Sequence, residues 1–466
     1  MSVVFCGVCP HPPIAVPEVG GSEASEVSDT QEALLELGRR IIKSGAETVV
    51  IISPHAPVFR DVVGINLSPQ LKGDLGYFQA GNVRYLADND PALAREISRQ
   101  ATDLGMPAIL LTEEEERQYG INLRLDHGVV VPLYFLRKAK LETPLVHVSM
   151  ALGQPRKLYL FGIAVRRAAE KMGRRVALLA SGDLSHGLTQ DAPGGYLPRG
   201  KDFDSLLAGL LAVPDVEGIV KMDPELVAQA GECGYHSIVM MLGALDGYDV
   251  KAEVLSYEGP FGVGYLVASL EPEGENPEKS LYQKIRSEGQ AERARQRAGE
   301  SYLVRLARNT LESHVSGSPP PAPVDVPEEF LKSAGVFVSI KKHGNLRGCI
   351  GTIEPVTSSI AEEVSANAIS AGINDPRFQP VRKDELDNLD YSVDVLQPPE
   401  PISSLHQLDP FKYGVIVRSG WRSGLLLPNL EGIDSAEEQV RIARQKAGIR
   451  PEDPVKLERF EVVRYK

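Results

Sequence analysis

The chain has 466 residues, a length that predicts two or three domains. A formal net charge of −13 argues against nucleic acids or anionic membranes as general partners. No apolar run reaches the ~18 residues that span a bilayer, and no basic segment precedes the first apolar run, so we expect neither a membrane span nor a signal peptide. Four cysteines are too few for a secreted disulfide framework, which favours the cytoplasm.

Residues 1–270 alternate apolar and amphipathic segments. The apolar segments "SVVFCGVC", "TVVIIS", "PLVHVSM" and "RVALLAS" predict strands, and "SDTQEALLELGRRIIKSG" and "DPALAREISRQATDLG" predict helices. This alternation predicts an α/β domain with a mostly buried mixed or parallel sheet flanked by helices. Ligands of such sheets bind at the carboxyl ends of the strands.

Two cysteines in the first strand form a C-x-x-C pattern, Cys6 and Cys9. Strand positions three apart face opposite sides of a sheet, so their sulfurs should point apart. We therefore interpret them as core residues and not as a zinc or redox pair.

The composition changes after residue 270. Residues 271–294 are charged and poor in apolar residues, and we expect a linker that runs into a helix. Residues 295–466 contain short strand patterns such as "GVFVSIKK", "YGVIVRS" and "FEVVRY", with helical patterns between some of them. This part is predicted to be a separate α+β domain.

Five of the nine histidines lie at loops or element ends in the first domain. They are His11, His55, His127, His186 and His236. Four of them follow a strand or adjoin a glycine, where side chains can converge on one crevice. Imidazole is the commonest neutral metal ligand and titrates near neutral pH, so we expect some to hold an ion and others to move protons. A shared ion requires the nearest ring nitrogens of His11 and His55 to lie within ~5 Å, since its bonds are near 2 Å. His147 is mid-strand and is predicted to be a core residue.

The N-terminal motifs together resemble a known family. These motifs are the first Pro-His, the strand end "SPH", "DHGVVVPLYFL" and "ASGDLSHG". Over about residues 1–270 they resemble the class III (LigB-type) extradiol ring-cleavage dioxygenases. The Memo family and the plant-type DOPA dioxygenases share this fold, so the resemblance does not fix the activity.

The resemblance implies a non-haem Fe(II) held by two histidines and a carboxylate, with open positions for a catecholate and O₂. His11 and His55 match the two histidine ligands. The third ligand is implied to come from "AGECGYHS". Glu232 is the favoured carboxylate, and His236 and Cys233 are alternatives, the cysteine because Memo-like proteins carry one here.

The resemblance also implies an acid–base pair. His127 and His186 match its positions, with His186 removing the second proton of the catechol and His127 assisting the ring rearrangement. Asp126 and Asp183, close by in sequence, could orient an imidazole or cap a helix.

The segments "KKHGNLRGCIGTIEP" and "INDPRFQPVRKDELDNLDYSVDVLQPPEPI" closely resemble the AMMECR family over about residues 295–466. This resemblance implies a fold and little chemistry. Cys349, inside the first segment, is open to two interpretations. It could be a nucleophile or redox thiol with His343 or Asp375 nearby, or a small buried residue.

The leading hypothesis is an oxidoreductase that uses Fe(II) to cleave a catechol-type ring with O₂, joined to an AMMECR domain. The alternative is a Memo-like metal-binding module with a redox or regulatory role. A zinc hydrolase is disfavoured because no H-E-x-x-H-type signature is present. The expected partners are a small catecholic molecule and O₂, with no nucleic acid and no membrane. The sequence is compatible with a homo-oligomer and leaves the oligomeric state open.

Overall fold

The structure is a computed structural model that describes residues 1–342, 344–430 and 432–466, except for the side chains of residues 290, 292 and 384. It divides into two compact units, residues 1–289 and 290–466. In the described ranges, no helix has the length and apolar character needed to cross a membrane.

The first unit is built on an eight-stranded sheet and a separate two-stranded hairpin. Its strands are β1 (Val3–Cys9), β2 (Thr48–Ser53), β3 (Val63–Asn66), β4 (Gln70–Leu75), β5 (Ala80–Asp88), β6 (Ala108–Leu111), β7 (Leu145–Ser149), β8 (Val176–Ser181), β9 (Tyr248–Glu258) and β10 (Tyr265–Glu275). Its helices are α1 (Pro17–Gly20), α2 (Ser28–Ser44), α3 (Pro91–Asp103), α4 (Glu113–Tyr119), α5 (His127–Lys138), α6 (Pro155–Met172), α7 (Gly200–Ala212), α8 (Val216–Val220), α9 (Pro224–Ala230) and α10 (Tyr235–Leu242).

The large sheet has the order β6-β3-β7-β2-β8-β1-β10-β9. Its central neighbours β7, β2, β8 and β1 are parallel, whereas β10 and β9 add an antiparallel edge. Every residue of β2 and β8 is buried, because helices cover both faces of the sheet. The predicted α/β class with a mixed, mostly buried sheet is confirmed.

The core of the first unit lies in two clusters. Residues of α2 and α5 pack in one cluster, and residues of α3, α6 and α10 pack in the other. Cys6 belongs to the second of these clusters and Cys9 to the first, and both thiols are free. Their interpretation as core residues on opposite faces is therefore confirmed.

Residues 271–294, where we expected a linker, contain regular structure. Strand β10 continues to Glu275, and helix α11 (Leu281–Gly299) begins soon after it. The charges that suggested a linker lie largely on exposed positions of this helix.

Over its described residues, the second unit has two four-stranded antiparallel sheets and three further helices. The strands are β11 (Val336–Lys342), β12 (Asn345–Gly351), β13 (Leu389–Leu396), β14 (Glu400–Ile402), β15 (Gly414–Ser419), β16 (Arg422–Leu426), β17 (Lys456–Phe460) and β18 (Val462–Tyr465). The helices are α12 (Tyr302–Val315), α13 (Ile360–Ile369) and α14 (Ala436–Lys446). The sheet orders are β12-β11-β13-β18 and β14-β17-β15-β16. The predicted α+β class is confirmed.

Candidate metal centre

The carboxyl ends of three neighbouring parallel strands bring distant histidines together. Strands β2, β8 and β1 are adjacent, and Cys9, the last residue of β1, pairs with Ser181, the last residue of β8. His11 and His55 lie two residues beyond β1 and β2. Since parallel strands end at one edge of a sheet, the topology places both imidazoles at the same crevice.

His11, His55 and Cys233 form a group that could hold a metal ion. The two Nε2 atoms lie 3.0 Å apart. The Sγ atom of Cys233 lies 3.7 Å from Nε2 of His11. All three ligand atoms lie within 4.8 Å of one another, and no other such group occurs in the described ranges.

The separations of Nε2 of His11 from the other two ligand atoms are close to those around a single ion. Two nitrogens bound to a tetrahedral ion at ~2.0–2.1 Å would be about 3.4 Å apart, and a nitrogen and a thiolate sulfur bound at ~2.3 Å would be about 3.6 Å apart. The observed 3.0 and 3.7 Å require shifts of a few tenths of an ångström. Two imidazoles and a thiol suit zinc and other soft or borderline metals, whereas the facial set for non-haem Fe(II) has a carboxylate as its third ligand.

Two glycines allow Cys233 to reach the histidines. A Cβ atom added to Gly182 would lie 2.1 Å from the Cα atom of Gly234, so the two backbone segments touch. The backbone N–H of Asp183 donates to Sγ of Cys233 at 3.2 Å, and the N–H of Cys233 donates to the carbonyl of Asp183 at 3.2 Å. This close pairing fixes where the thiol points. Burial raises the pKa of that thiol well above its usual value.

The structure does not bring Glu232 to the group, although we favoured it as the third ligand. Its carboxylate accepts a hydrogen bond from the backbone N–H of Tyr235 at 2.6 Å, at the start of α10. Burial raises its pKa to about 7. His236, the other alternative, is the second residue of α10, and its ring lies 5.5 Å from the ring of Tyr235. It is also outside the group, so Cys233 is the third donor that the geometry provides.

His127 stacks on the histidine pair. It is the first residue of α5, and its ring centroid lies 4.2 Å from that of His55 and 5.2 Å from that of His11. Burial, with a smaller contribution from the two neighbouring imidazoles, lowers the pKa of His127 to about 3. Burial likewise lowers the pKa of His11 to about 3.

His186 and Asp183 line the same crevice. Nε2 of His186 is buried and has no hydrogen-bond partner among the described residues. Burial lowers its pKa, an effect that the charge of Asp183 opposes. The Oδ1 atom of Asp183 accepts the backbone N–H of His11 at 2.8 Å, and its Oδ2 atom lies 3.9 Å from Nε2 of His11. Burial raises the pKa of Asp183 to about 6, although the N–H of His11 opposes the shift.

Ser53 and His147 support the site around Asp126 and were not foreseen from the sequence, whereas Asp126 itself was named as a residue that could orient an imidazole. Asp126 accepts the hydroxyl of Ser53 at 2.6 Å, and Ser53 in turn accepts the N–H of His55 at 3.3 Å. Nε2 of His147, predicted to be a core residue, lies 3.3 Å from Oδ2 of Asp126. Burial alone would raise the pKa of Asp126, but His147 and Ser53 hold it below its usual value. A histidine inside an apolar strand and a serine at a strand end give no sequence signal for this arrangement.

An aromatic hairpin adjoins the crevice. Strands β4 and β5 pair as a hairpin, and Phe78 at its turn lies 5.3 Å, ring to ring, from His127. Tyr77 beside it is 93% exposed. The sequence suggests only that residues 71–89 include a pocket loop.

Cys349, in the second unit, lies on β12. Its Sγ atom accepts the hydroxyl of Ser339 at 3.2 Å, and its N–H donates to Asp375 at 2.9 Å. Asp375 also forms an ion pair with Arg377. His343 lies outside the described residues. Both interpretations of Cys349 stay open.

The sheet topology and the imidazole cluster define a dioxygenase-like α/β unit with a candidate metal centre, followed by an α+β unit. The family profile "Catalytic LigB subunit of aromatic ring-opening dioxygenase" matches residues 6–268, and the AMMECR1 profile matches residues 304–466. The chain belongs to the LigB family and carries an AMMECR1 domain in the same polypeptide. Members of the LigB family are typically metal-dependent, in agreement with the two-histidine and cysteine group.

Several known proteins are similar to this chain over all or part of its length. Protein CA_C1420 from Clostridium acetobutylicum is 41% identical over 98% of both chains. A protein from Thermotoga maritima is 51% identical over 36% of this chain and 99% of its own. Among solved structures, the uncharacterized protein PH0010 from Pyrococcus horikoshii is 36% identical over 35% of this chain and 88% of its own, with a TM-score of 0.33. The uncharacterized protein JW3007 from Escherichia coli is 17% identical over 57% of this chain and 99% of its own, with a TM-score of 0.41.

Proposed function

We propose that the LigB unit is an Fe(II)-dependent oxidoreductase that opens a catechol-type aromatic ring with O₂. The observation that carries the proposal is the presence of two further histidines, His127 and His186, beside the two-histidine and cysteine group. A site that only stores a metal has no need of additional imidazoles that could transfer protons. Membership of the LigB family supports the same reaction class.

In this proposal His11, His55 and Cys233 hold the ion. Bound there, Fe(II) would supply redox chemistry toward O₂ and coordination positions for the two catechol oxygens. The carboxylate of Asp183 holds the backbone of His11 in place through its 2.8 Å hydrogen bond. The hydroxyl of Ser53, held by Asp126, does the same for the backbone of His55.

In the same proposal, His186 and His127 transfer protons. The free Nε2 of His186 accepts a proton from a substrate hydroxyl, because it is unpaired in the crevice. His127, stacked on His55, is placed to return a proton during ring opening. Positioned acid–base groups of this kind contribute about 10²–10⁴-fold to rate. Phe78 and Tyr77 supply an apolar wall against which a planar aromatic substrate would lie.

One observation supports a second candidate function. The thiol of Cys233 stands where a ring-cleavage enzyme would use a carboxylate, and thiolate donors favour zinc or copper over Fe(II). A Memo-like module that binds such a metal for a redox or regulatory role fits this donor set.

The test is to load the anaerobically purified full chain with Fe(II), add catechols and then admit O₂. A yellow ring-opened product with matching O₂ uptake supports ring cleavage. Tight iron binding without turnover on any catechol favours the metal-binding module. His186→Ala should retain iron and lose activity, whereas His406→Ala in the second unit should behave as wild type. Full activity in His186→Ala would remove this residue as the base.

A further inference from the structure

The side chain of Ser181 links the candidate metal centre to helix α5. Ser181 is fully buried at the end of β8. Its hydroxyl donates to the backbone carbonyl of Gly128 at 2.5 Å, and its oxygen lies 2.9 Å from Nδ1 of His11. A carbonyl oxygen only accepts hydrogen bonds, so the single hydroxyl proton is committed to Gly128.

The sequence explains why this carbonyl is available. In an α-helix the carbonyl of residue 128 would accept the N–H of residue 132. Residue 132 is Pro132, which lies inside α5 and has no N–H. The carbonyl of Gly128 is therefore free of its helical partner and takes the hydroxyl of Ser181 instead.

This chain of hydrogen bonds determines the protonation pattern of His11. Since the hydroxyl proton points to Gly128, the contact with Nδ1 is a hydrogen bond only if Nδ1–H is the donor. A neutral imidazole carries one N–H, so Nε2 is left with its lone pair, and this atom faces His55 at 3.0 Å.

We propose that Ser181, together with the carbonyl that Pro132 leaves free, is a positioning residue that fixes His11 in the tautomer whose Nε2 can bind the metal. The inference rests on the metal site of the proposed function and is independent of the reaction. Partners of this kind typically contribute 10–100-fold to metal affinity.

The direct test is the tautomer of His11 in the metal-free full chain, read from long-range ¹⁵N–¹H correlations of histidine-labelled protein, with the His11 signals assigned by loss in His11→Gln. Protonated Nδ1 is expected. A proton on Nε2 in the wild type would overturn the proposal, whatever the variants do.

The variants test the consequence with Zn(II) alone, titrated against a chromophoric chelator. Ser181→Ala should lower the Zn(II) affinity 10–100-fold, and His11 should no longer be held in its Nδ1-protonated tautomer. Ser181→Thr keeps the hydroxyl and should show the wild-type affinity and the wild-type tautomer. Ser149→Ala is the matched control, because Ser149 is also buried at the end of another strand of the same sheet, β7, and its hydroxyl oxygen accepts the N–H of Gly64. Unchanged tautomer and affinity in Ser181→Ala, or an equal loss in Ser149→Ala, would refute the positioning role. A wild type that binds no Zn(II) would refute the metal part and would leave the ring-cleavage test with Fe(II) as a separate question.

Discussion

Replacing Cys233 and Glu232 separately tests which neighbouring side chain completes the metal centre. Cys233→Ser removes the sulfur, but the serine oxygen can still accept the N–H of Asp183, so the local backbone keeps its hydrogen bond. Glu232→Gln removes the charge but keeps an oxygen for the N–H of Tyr235. The two variants are thus matched in position and in conserved backbone contacts.

The expected loss of Zn(II) affinity follows from the number of protein side chains that bind the metal. Structural zinc sites with four donors gain about 10–16 kcal/mol, or roughly 3 kcal/mol for each donor. With the thiol 3.7 Å from Nε2 of His11, Cys233→Ser removes one of three protein donors. We therefore expect it to weaken Zn(II) binding by about 10²-fold, since 1.4 kcal/mol corresponds to a factor of ten. Glu232→Gln should leave the affinity unchanged, because its carboxylate lies outside the group.

Chelator competition on the full chain measures both affinities, and Co(II) substitution adds an independent signal. The wild type and Glu232→Gln should show the ultraviolet charge-transfer band of a thiolate bound to Co(II), and Cys233→Ser should lose it. The reasoning fails if Glu232→Gln loses the affinity and Cys233→Ser keeps both the affinity and the band. That pattern would restore the carboxylate as the third ligand.

Three further outcomes are expected. Gly182→Ala should lower Zn(II) affinity, because the new Cβ would lie 2.1 Å from the facing backbone of Gly234. Gly209→Ala should leave the affinity unchanged, because a Cβ there would meet no atom outside its own helix within 4 Å. Equal affinities of the two variants would contradict this. Phe78→Ala should raise the KM for a catechol substrate without changing metal affinity, which steady-state kinetics and titration will separate. In the second unit, burial favours protonated Glu385, but its pairing with Arg347 outweighs this and lowers its pKa to about 2. This pairing therefore gives its full stabilisation above the unfolded pKa of about 4.3 and loses it as the pH falls toward 2. In urea-unfolding measurements, Glu385→Gln should make the free energy of unfolding less dependent on pH over this acidic range.

The positions of His11 and His55 were predictable because two simple rules act together. Apolar runs that end in Pro-His mark the carboxyl ends of strands, and parallel strands bring those ends to one edge. The nearest nitrogens, 3.0 Å apart, lie inside the ~5 Å that a shared ion requires. Neither rule depends on how any single side chain is oriented.

The third donor could not be chosen from the sequence for a local reason. Glu232, Cys233 and His236 lie within five residues, and a small rotation of the backbone decides which of them faces the histidines. That rotation is set by the contact between Gly182 and Gly234, which are 52 positions apart in the chain. The proposed role of Ser181 could not be predicted for a similar reason, since it depends on the carbonyl of Gly128, which lies on helix α5.

Two residues with different proposed roles, the metal donor Cys233 and the proton-transfer residue His127, are held by different parts of the fold, and this separates two properties of the centre. Cys233 is positioned by the glycine contact before α10, whereas His127 begins α5 on the other side of the crevice. A change at Cys233 need not disturb His127, except through Ser181, which bonds both to His11 and to the first turn of α5. His186 is tied to the cysteine segment, because its backbone N–H donates to the carbonyl of Gly231 at 3.2 Å. We therefore expect metal identity to depend on Cys233 and turnover to depend on His127. A LigB-type fold can on this basis keep its metal while gaining or losing ring-cleavage activity, which is the distinction between the two proposed functions.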